Sequence, residues 1–300
     1  MSVKRLFFIS GFIILIFFIC INSQVVETGC REGLLIWYNS LVPVVLPFCL
    51  ISGLFMSGLK LSSLKTPAAT IIMLICGLFM GYPIGSIVAG RLYDNNSLSK
   101  NTICAFMPLC NNVSPMFLVG YIYHDILNNS ISLISLLCYI YVPELIYSCF
   151  YLILSKISCK RAENITPAFS EYAATDMPSD PNEFSSLIDR SIHTICIIGI
   201  YVVIFSIISA LITAFNHDNN MYINVLSCYM EVTSGIQDLL LLPLPQIKKA
   251  ALILSLSAFG GISAIFQSVH ILKQSKLPVS KYILSKIICG VGTYIMVLVV

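Results

Sequence analysis

A polytopic all-α membrane protein, built as a duplicated, inverted repeat with broken helices and re-entrant hairpins, is the fold class this sequence predicts. Three observations lead to it. The 300 residues are 57% hydrophobic and only 10% charged, with a mean hydropathy of +0.90. A soluble domain carries roughly 25% charged residues because it must cover a polar surface, so most of this surface must lie in lipid. That excludes a water-soluble enzyme, a DNA-binding domain and a disordered protein. Second, apolar runs long enough to cross a bilayer recur along the chain, several of them interrupted by glycine, proline or asparagine. Third, the order span, broken segment, broken segment, span occurs twice, at 33–155 and 192–300, and self-similarity on that scale marks a duplicated fold.

The elements follow in order. Lys4-Arg5 and the apolar run 6–21 lack a small-residue cleavage site, so they read as an uncleaved first helix with its basic end in the cytoplasm. Gly33–Leu59 carries Pro43 and Pro47 and is followed by Lys60 and Lys65, which put its far end inside. Ala68–Gly90 is interrupted at Gly81-Tyr82-Pro83-Ile84-Gly85, and Leu98–Tyr123 at Cys110-Asn111-Asn112-Val113-Ser114-Pro115. Breaks at this depth leave backbone groups that only protein or a wet cavity can satisfy. Ile131–Ser155 is a more ordinary span, ending at Lys156, Lys160 and Arg161. The polar stretch 156–187, with three prolines and several acids, reads as a cytoplasmic linker. The pattern then recurs as a span at Ile192–Phe215, a segment at Met221–Leu242 broken at Glu231–Gly235, a second at Ala250–Leu272 broken at Gly260-Gly261, and a last span at Tyr282–Val300.

The division expected is therefore an N-terminal transmembrane helix at 1–30, a first repeat at 31–155, the linker at 156–187 and a second repeat at 188–300. If the first broken segment of each half is a re-entrant hairpin, the loop charges start the first half outside and the second inside. The halves are then inverted, with Lys248 and Lys249 left outside. A second register sets Gly81 against Gly261 and Leu92 against Leu272 and makes the second hairpin cytoplasmic.

The net charge of +3 is too small and scattered for a nucleic-acid partner. Twelve cysteines, among them Cys20, Cys49, Cys76, Cys138, Cys196 and Cys289, sit mostly within apolar runs, with no CxxC pair or metal-ligand spacing. They read as small hydrophobes. No cofactor or metal is called for, and without a Walker loop, nucleophile elbow or HExxH motif the reading is not an enzyme.

Helix breaks at midplane depth present half-helix N-termini, whose free N–H groups favour an anion. Ser114-Pro115 has the form of an N-cap followed by a first-turn proline, so a helix restarts there, and Pro83 can serve the same purpose. The residues expected to bind solute are Gly81, Tyr82, Pro83, Gly85, Asn111, Asn112, Ser114, Thr233, Ser234, Gly260, Gly261 and Gln267. Glu231, an ionisable group in an apolar segment, is the candidate for a coupling proton or sodium ion. The competing reading makes each break a kink whose polar groups satisfy neighbouring backbone. Glu144, beside Pro143, is a further candidate with kink filling as its alternative. His193, His270 and Asp238 lie near span ends and read as interfacial.

The segments CREGLLIWYNSLVPVVLPFCLIS, GYPIGSIVAGRL, CNNVSPMFLVG, EVTSG and FGGISAIFQS resemble the nucleoside-recognition, or Gate, domain proteins, and within them the YlbJ-type sporulation integral membrane proteins. The likeness runs over nearly all of the chain after Cys30. It places the family's first hairpin motif on Gly81–Gly85, its asparagine motif on Asn111–Pro115, its acidic motif on Glu231–Gly235 and its last motif on Gly260–Gln267. The resemblance implies an inverted repeat like that of concentrative nucleoside transporters, a multi-pass protein of the cell or forespore membrane of a spore-forming bacterium, and movement of dipicolinic acid. The expected function is alternating-access transport of a small polar, anionic metabolite across the lipid bilayer. The alternatives are a nucleoside or other neutral-solute carrier and a non-transporting structural or signalling component of the sporulation membrane.

Overall fold

The computed structural model describes residues 16–58, 64–159 and 181–299. Every regular element among them is helical, as a chain that must satisfy its backbone inside lipid requires. Five stretches are long and apolar enough to cross a membrane: Ser23–Phe55, Leu133–Ile157, Leu187–Ala214, Gln246–Gln274 and Val279–Val299. The chain thus has the make-up of a multi-pass membrane protein.

The first stretch is α1 (Ser23–Ile36) and α2 (Val42–Gly58), joined by a π-helical turn at Trp37–Leu41. Pro43 and Pro47 have no N–H for the preceding turn, and the helix widens just before them. Residue 30, the expected end of the first domain, lies inside α1, and the expected helix at 1–15 is outside the described residues. Gly29 and Gly33 lay α1 directly on α7 (Pro181–Ala214): a Cβ added at either glycine meets the Cα of Ile207 or Val203 within 2.8 Å. This is the small-xxx-small packing by which helices approach closely in lipid. The Trp37 indole N–H donates to the Ile195 carbonyl of α7 at 2.9 Å.

The broken segments are then α3 (Thr66–Met80) and α4 (Ile84–Asp94), and α5 (Lys100–Cys110) followed by a π-helix (Phe117–Ile126). α6 (Leu133–Cys159) closes the first half. The second half runs through α7, α8 (Met221–Cys228), α9 (Val232–Leu241), α10 (Gln246–Phe259), α11 (Gly261–Gln274) and α12 (Val279–Val299). Every expected break is present, and the spans appear within a few residues of their expected bounds except the first, which begins at Ser23 rather than Gly33, and α7, whose helix begins at Pro181. Residues 156–159 complete α6 and 181–187 open α7, both within the bounds expected for the linker.

Sequence patterning left two repeat registers, and the helix ends favour the second. α3 and α10 begin at 66 and 246 and α4 and α11 end at 94 and 274, both pairs 180 positions apart. Gly81 and Gly261 have positive φ, as do Asn96 and Lys276 in the following turns. There Asn96 N–H donates to Tyr93 and Lys276 N–H to Lys273, while Leu98 and Leu277 N–H reach back to Leu92 and Leu272. α4 and α11 lie side by side: Tyr82 borders Gly260 where both begin, and Ser275 Oγ bonds Asp94 Oδ2 at 2.9 Å where both end. They run in the same direction. This is the pairing of the second register; in the inverted one the counterpart of α4 is α9.

Two apolar clusters hold the bundle. One includes Met73, Ile84, Leu92, Ile103 and Cys110, and the other Val113, Leu118, Ile122, Leu136, Ile140, Ile236 and Leu254. The chain passes from one to the other through the break at Asn111-Asn112, where the polar residues gather.

Candidate solute and ion site

Each break is held by backbone bonds to a second break. Tyr82 N–H donates to the Asn112 carbonyl at 2.9 Å, and Ile262 and Ser263 N–H donate to the carbonyls of Tyr229 and Met230, also at 2.9 Å. Helices restart as the cap residues foretell. The helix after the second break begins at Pro115, with Ser114 Oγ accepting from Phe117 N–H at 3.3 Å. α4 begins directly after Pro83. Glu231 caps α9, its Oε2 accepting from Thr233 N–H (2.8 Å), Ser234 N–H (2.9 Å) and Ser234 Oγ (3.2 Å). A capping side chain is worth about 0.5–2 kcal/mol, so Glu231→Ala is expected to lower the unfolding midpoint in detergent, whereas a Glu231 that served only an ion would leave it unchanged.

The starts of α4, α9 and α11 converge. A Cβ at Gly261 meets Val232 N at 3.0 Å, and one at Gly260 lies 3.7 Å from the Tyr82 ring and 3.9 Å from Lys286 Cε. Gly260 and Gly261, with φ of 91° and 74°, occupy backbone that a side chain would strain. Tyr82, Pro83, Glu231 and Gln267 line one narrow cleft together with Val45 of α2 and Val202 of α7. Gln267 Nε2 also donates to Ser263 Oγ at 3.1 Å.

The asparagines spend their side chains inside the protein. Asn111 Nδ2 donates to Ser268 Oγ and Tyr282 OH, both at 2.7 Å, while its Oδ1 accepts from Ser86 N–H at 3.2 Å in the first turn of α4. Asn112 Nδ2 donates to Glu144 Oε1 at 2.5 Å, and its Oδ1 accepts from Val113 N–H at 2.8 Å and from Lys286 Nζ at 3.4 Å. Lys286 Nζ lies 3.9 Å from Glu144 Oε1, with the two side chains only 1% and 0% exposed. Gly81 and Gly85 fit tightly rather than facing a cavity: a Cβ at Gly81 meets Asn112 O at 2.9 Å, and one at Gly85 would lie 1.8 Å from Cys110 O.

The structure therefore brings Tyr82, Pro83, Glu231 and Gln267 together around the cleft, with Gly260 and Gly261 packed against Tyr82 and Glu231, and engages Asn111 and Asn112 in a buried network. Ser114, Thr233 and Ser234 act at helix starts, and Thr233 Oγ1 is buried without a partner. Lys286, Tyr282 and Ser268 are functional candidates that sequence reasoning missed. The signal for Lys286 was present, a lysine inside the last apolar run; Tyr282 at a span end reads as an ordinary interfacial aromatic. His193 and Asp238 are exposed. Among the described residues no group of three His, Cys, Asp or Glu side chains could hold a metal ion.

No family model matches the chain, and neither any curated protein nor any solved structure is matched.

Proposed function

We propose that this protein is a membrane transporter for a small polar, anionic metabolite, working by alternating access around the centre where its helices break. The observation that carries the reading is the convergence of the starts of α4, α9 and α11, with the buried Lys286 beside Gly260 where α11 begins. Helix starts and an ammonium group are both anion-stabilising, and an ionisable residue at membrane depth marks a solute or ion path. Short broken helices support the re-entrant part of the expectation. α3 and α4 have 15 and 11 residues and α8 and α9 have 8 and 10, each too short to cross a core of about 30 Å alone. α9 also folds back on α8, since a Cβ at Gly235 would strike the Cys228 carbonyl. Dipicolinic acid, a dianionic aromatic acid, suits such a centre and is the solute that the resemblance to YlbJ-type sporulation proteins suggests. Coupling to a proton or sodium ion falls to a buried carboxylate, Glu231 on the reading from sequence.

The test is uptake into proteoliposomes, screened over mono- and dicarboxylates and nucleosides with and without ion gradients. Carboxylate uptake is expected; uptake of nucleosides alone overturns the anionic reading, and a sealed protein that moves nothing overturns transport. Asn112→Ala, which unties Glu144 and Lys286 from their shared partner, is expected to lower uptake per molecule more than it lowers protein abundance. Normal uptake per molecule from a poorly made variant assigns Asn112 to packing.

A further inference from the structure

A carboxylate entering this centre meets a charge balance that is already closed. Lys286 and Glu144 contribute one positive and one negative charge, both buried. A third charge leaves the pair negative at membrane depth, where an unpaired acid is costly. The bonding of the pair shows how the balance can be restored. Glu144 Oε1 accepts from Asn112 and lies near Lys286, but Oε2 is buried with no partner. Lys286 has three N–H donors and makes one hydrogen bond, a long one of 3.4 Å to Asn112. Glu231, by contrast, has three donors on Oε2. A Cβ at Gly260 would lie against both Lys286 Cε (3.9 Å) and the ring of Tyr82 (3.7 Å), which lines the cleft.

We propose that Lys286 anchors the solute's carboxylate and that Glu144 is its internal stand-in: the anion takes Lys286 Nζ, and Glu144 takes up a proton from water on Oε2, so one proton enters with each carboxylate. This rests on the transport reading above and moves the coupling role from Glu231 to Glu144. The competing proton acceptor is Glu231, whose Oε2 already holds three donors that favour its charged form. Tyr141 of α6, Cys110 of α5, and Tyr282 and Cys289 of α12 interact electrostatically with Glu144, but hydroxyls and thiols gain no proton near neutrality. α10 carries Lys248 and Lys249 in its first turn, with Lys249 bonded to the Leu240 carbonyl, and the π-helix carries His124 and Asp125 at its exposed end.

Calorimetry on the purified protein in detergent, in buffers of different ionisation enthalpy and from pH 6 to 8, tests this with acetate, benzoate, succinate and pyridine-2,6-dicarboxylate as probes. The wild type is expected to take up one proton per anion bound, with Kd rising tenfold per pH unit where that proton comes from solution. Glu144→Gln is expected to bind the same anion with one proton fewer and a correspondingly flatter pH dependence. Should Glu144→Gln fail to fold, the wild-type proton count and slope decide alone. Proton-free binding by the wild type, or an unchanged count in Glu144→Gln, overturns the inference and leaves the transport reading standing. Binding of none of the four probes overturns both.

Discussion

Gly85→Ala is expected to leave little folded protein. A methyl group there would lie 1.8 Å from the Cys110 carbonyl oxygen and 2.7 Å from its carbon. Those are backbone atoms at the end of α5, so no side-chain rotation relieves the clash, and α4 must lift from α5. Overpacking of cores typically costs about 1–3 kcal/mol, occasionally more, even when side chains can yield; here the cost should reach or exceed the top of that range. The displacement also pulls Ser86 N–H from Asn111 Oδ1. Gly120→Ala is the matched control, because nothing lies within 4 Å of its added methyl and replacing a helical glycine gains about 0.5–1 kcal/mol. Thermal unfolding of both variants by size-exclusion chromatography in detergent separates them. Equal stabilities would show that α4 and α5 are not packed as described.

The second large effect concerns the buried pair. Lys286→Met removes the only cation beside Glu144 among the described residues and strands a carboxylate at full burial. Removing one partner of a buried ion pair costs about 3–5 kcal/mol, whereas replacing both by apolar residues is often neutral or stabilising. Lys286→Met is therefore expected to unfold early, and Lys286→Met with Glu144→Leu to recover most of the loss while remaining inactive in transport. If the double variant is as unstable as the single one, the instability comes from packing around Lys286 rather than from charge.

Much of the secondary structure was legible because its causes are local. Pro83 and Pro115 end one hydrogen-bonding ladder and open the next, and glycine at 81 and 261 supplies positive φ. Ser114 and Glu231 stand where a helix start needs an acceptor. The candidate site was legible in part for the same reason, since breaks in apolar segments must be satisfied within the protein. Its polar partners were not. Asn111 was read as a solute ligand, yet its bonds go to Ser86, Ser268 and Tyr282 on three other segments. Local pattern carries no record of those contacts.

By itself the sequence determined that this chain lives in lipid, where its helices run, and where each of them breaks. Its composition allows no polar surface, and backbone inside a bilayer must be helical except where protein covers it. Only the tertiary structure decided what the breaks surround. α4 and α11 run in parallel, as the contacts at both of their ends show. Glu144 and Lys286, one inside α6 and the other inside α12, become a pair only when those helices pack on either side of Asn112. The physical reason is range: helix propensity, caps and proline breaks act over a few residues, whereas a buried charge is made tolerable by whatever distant group the fold brings within reach.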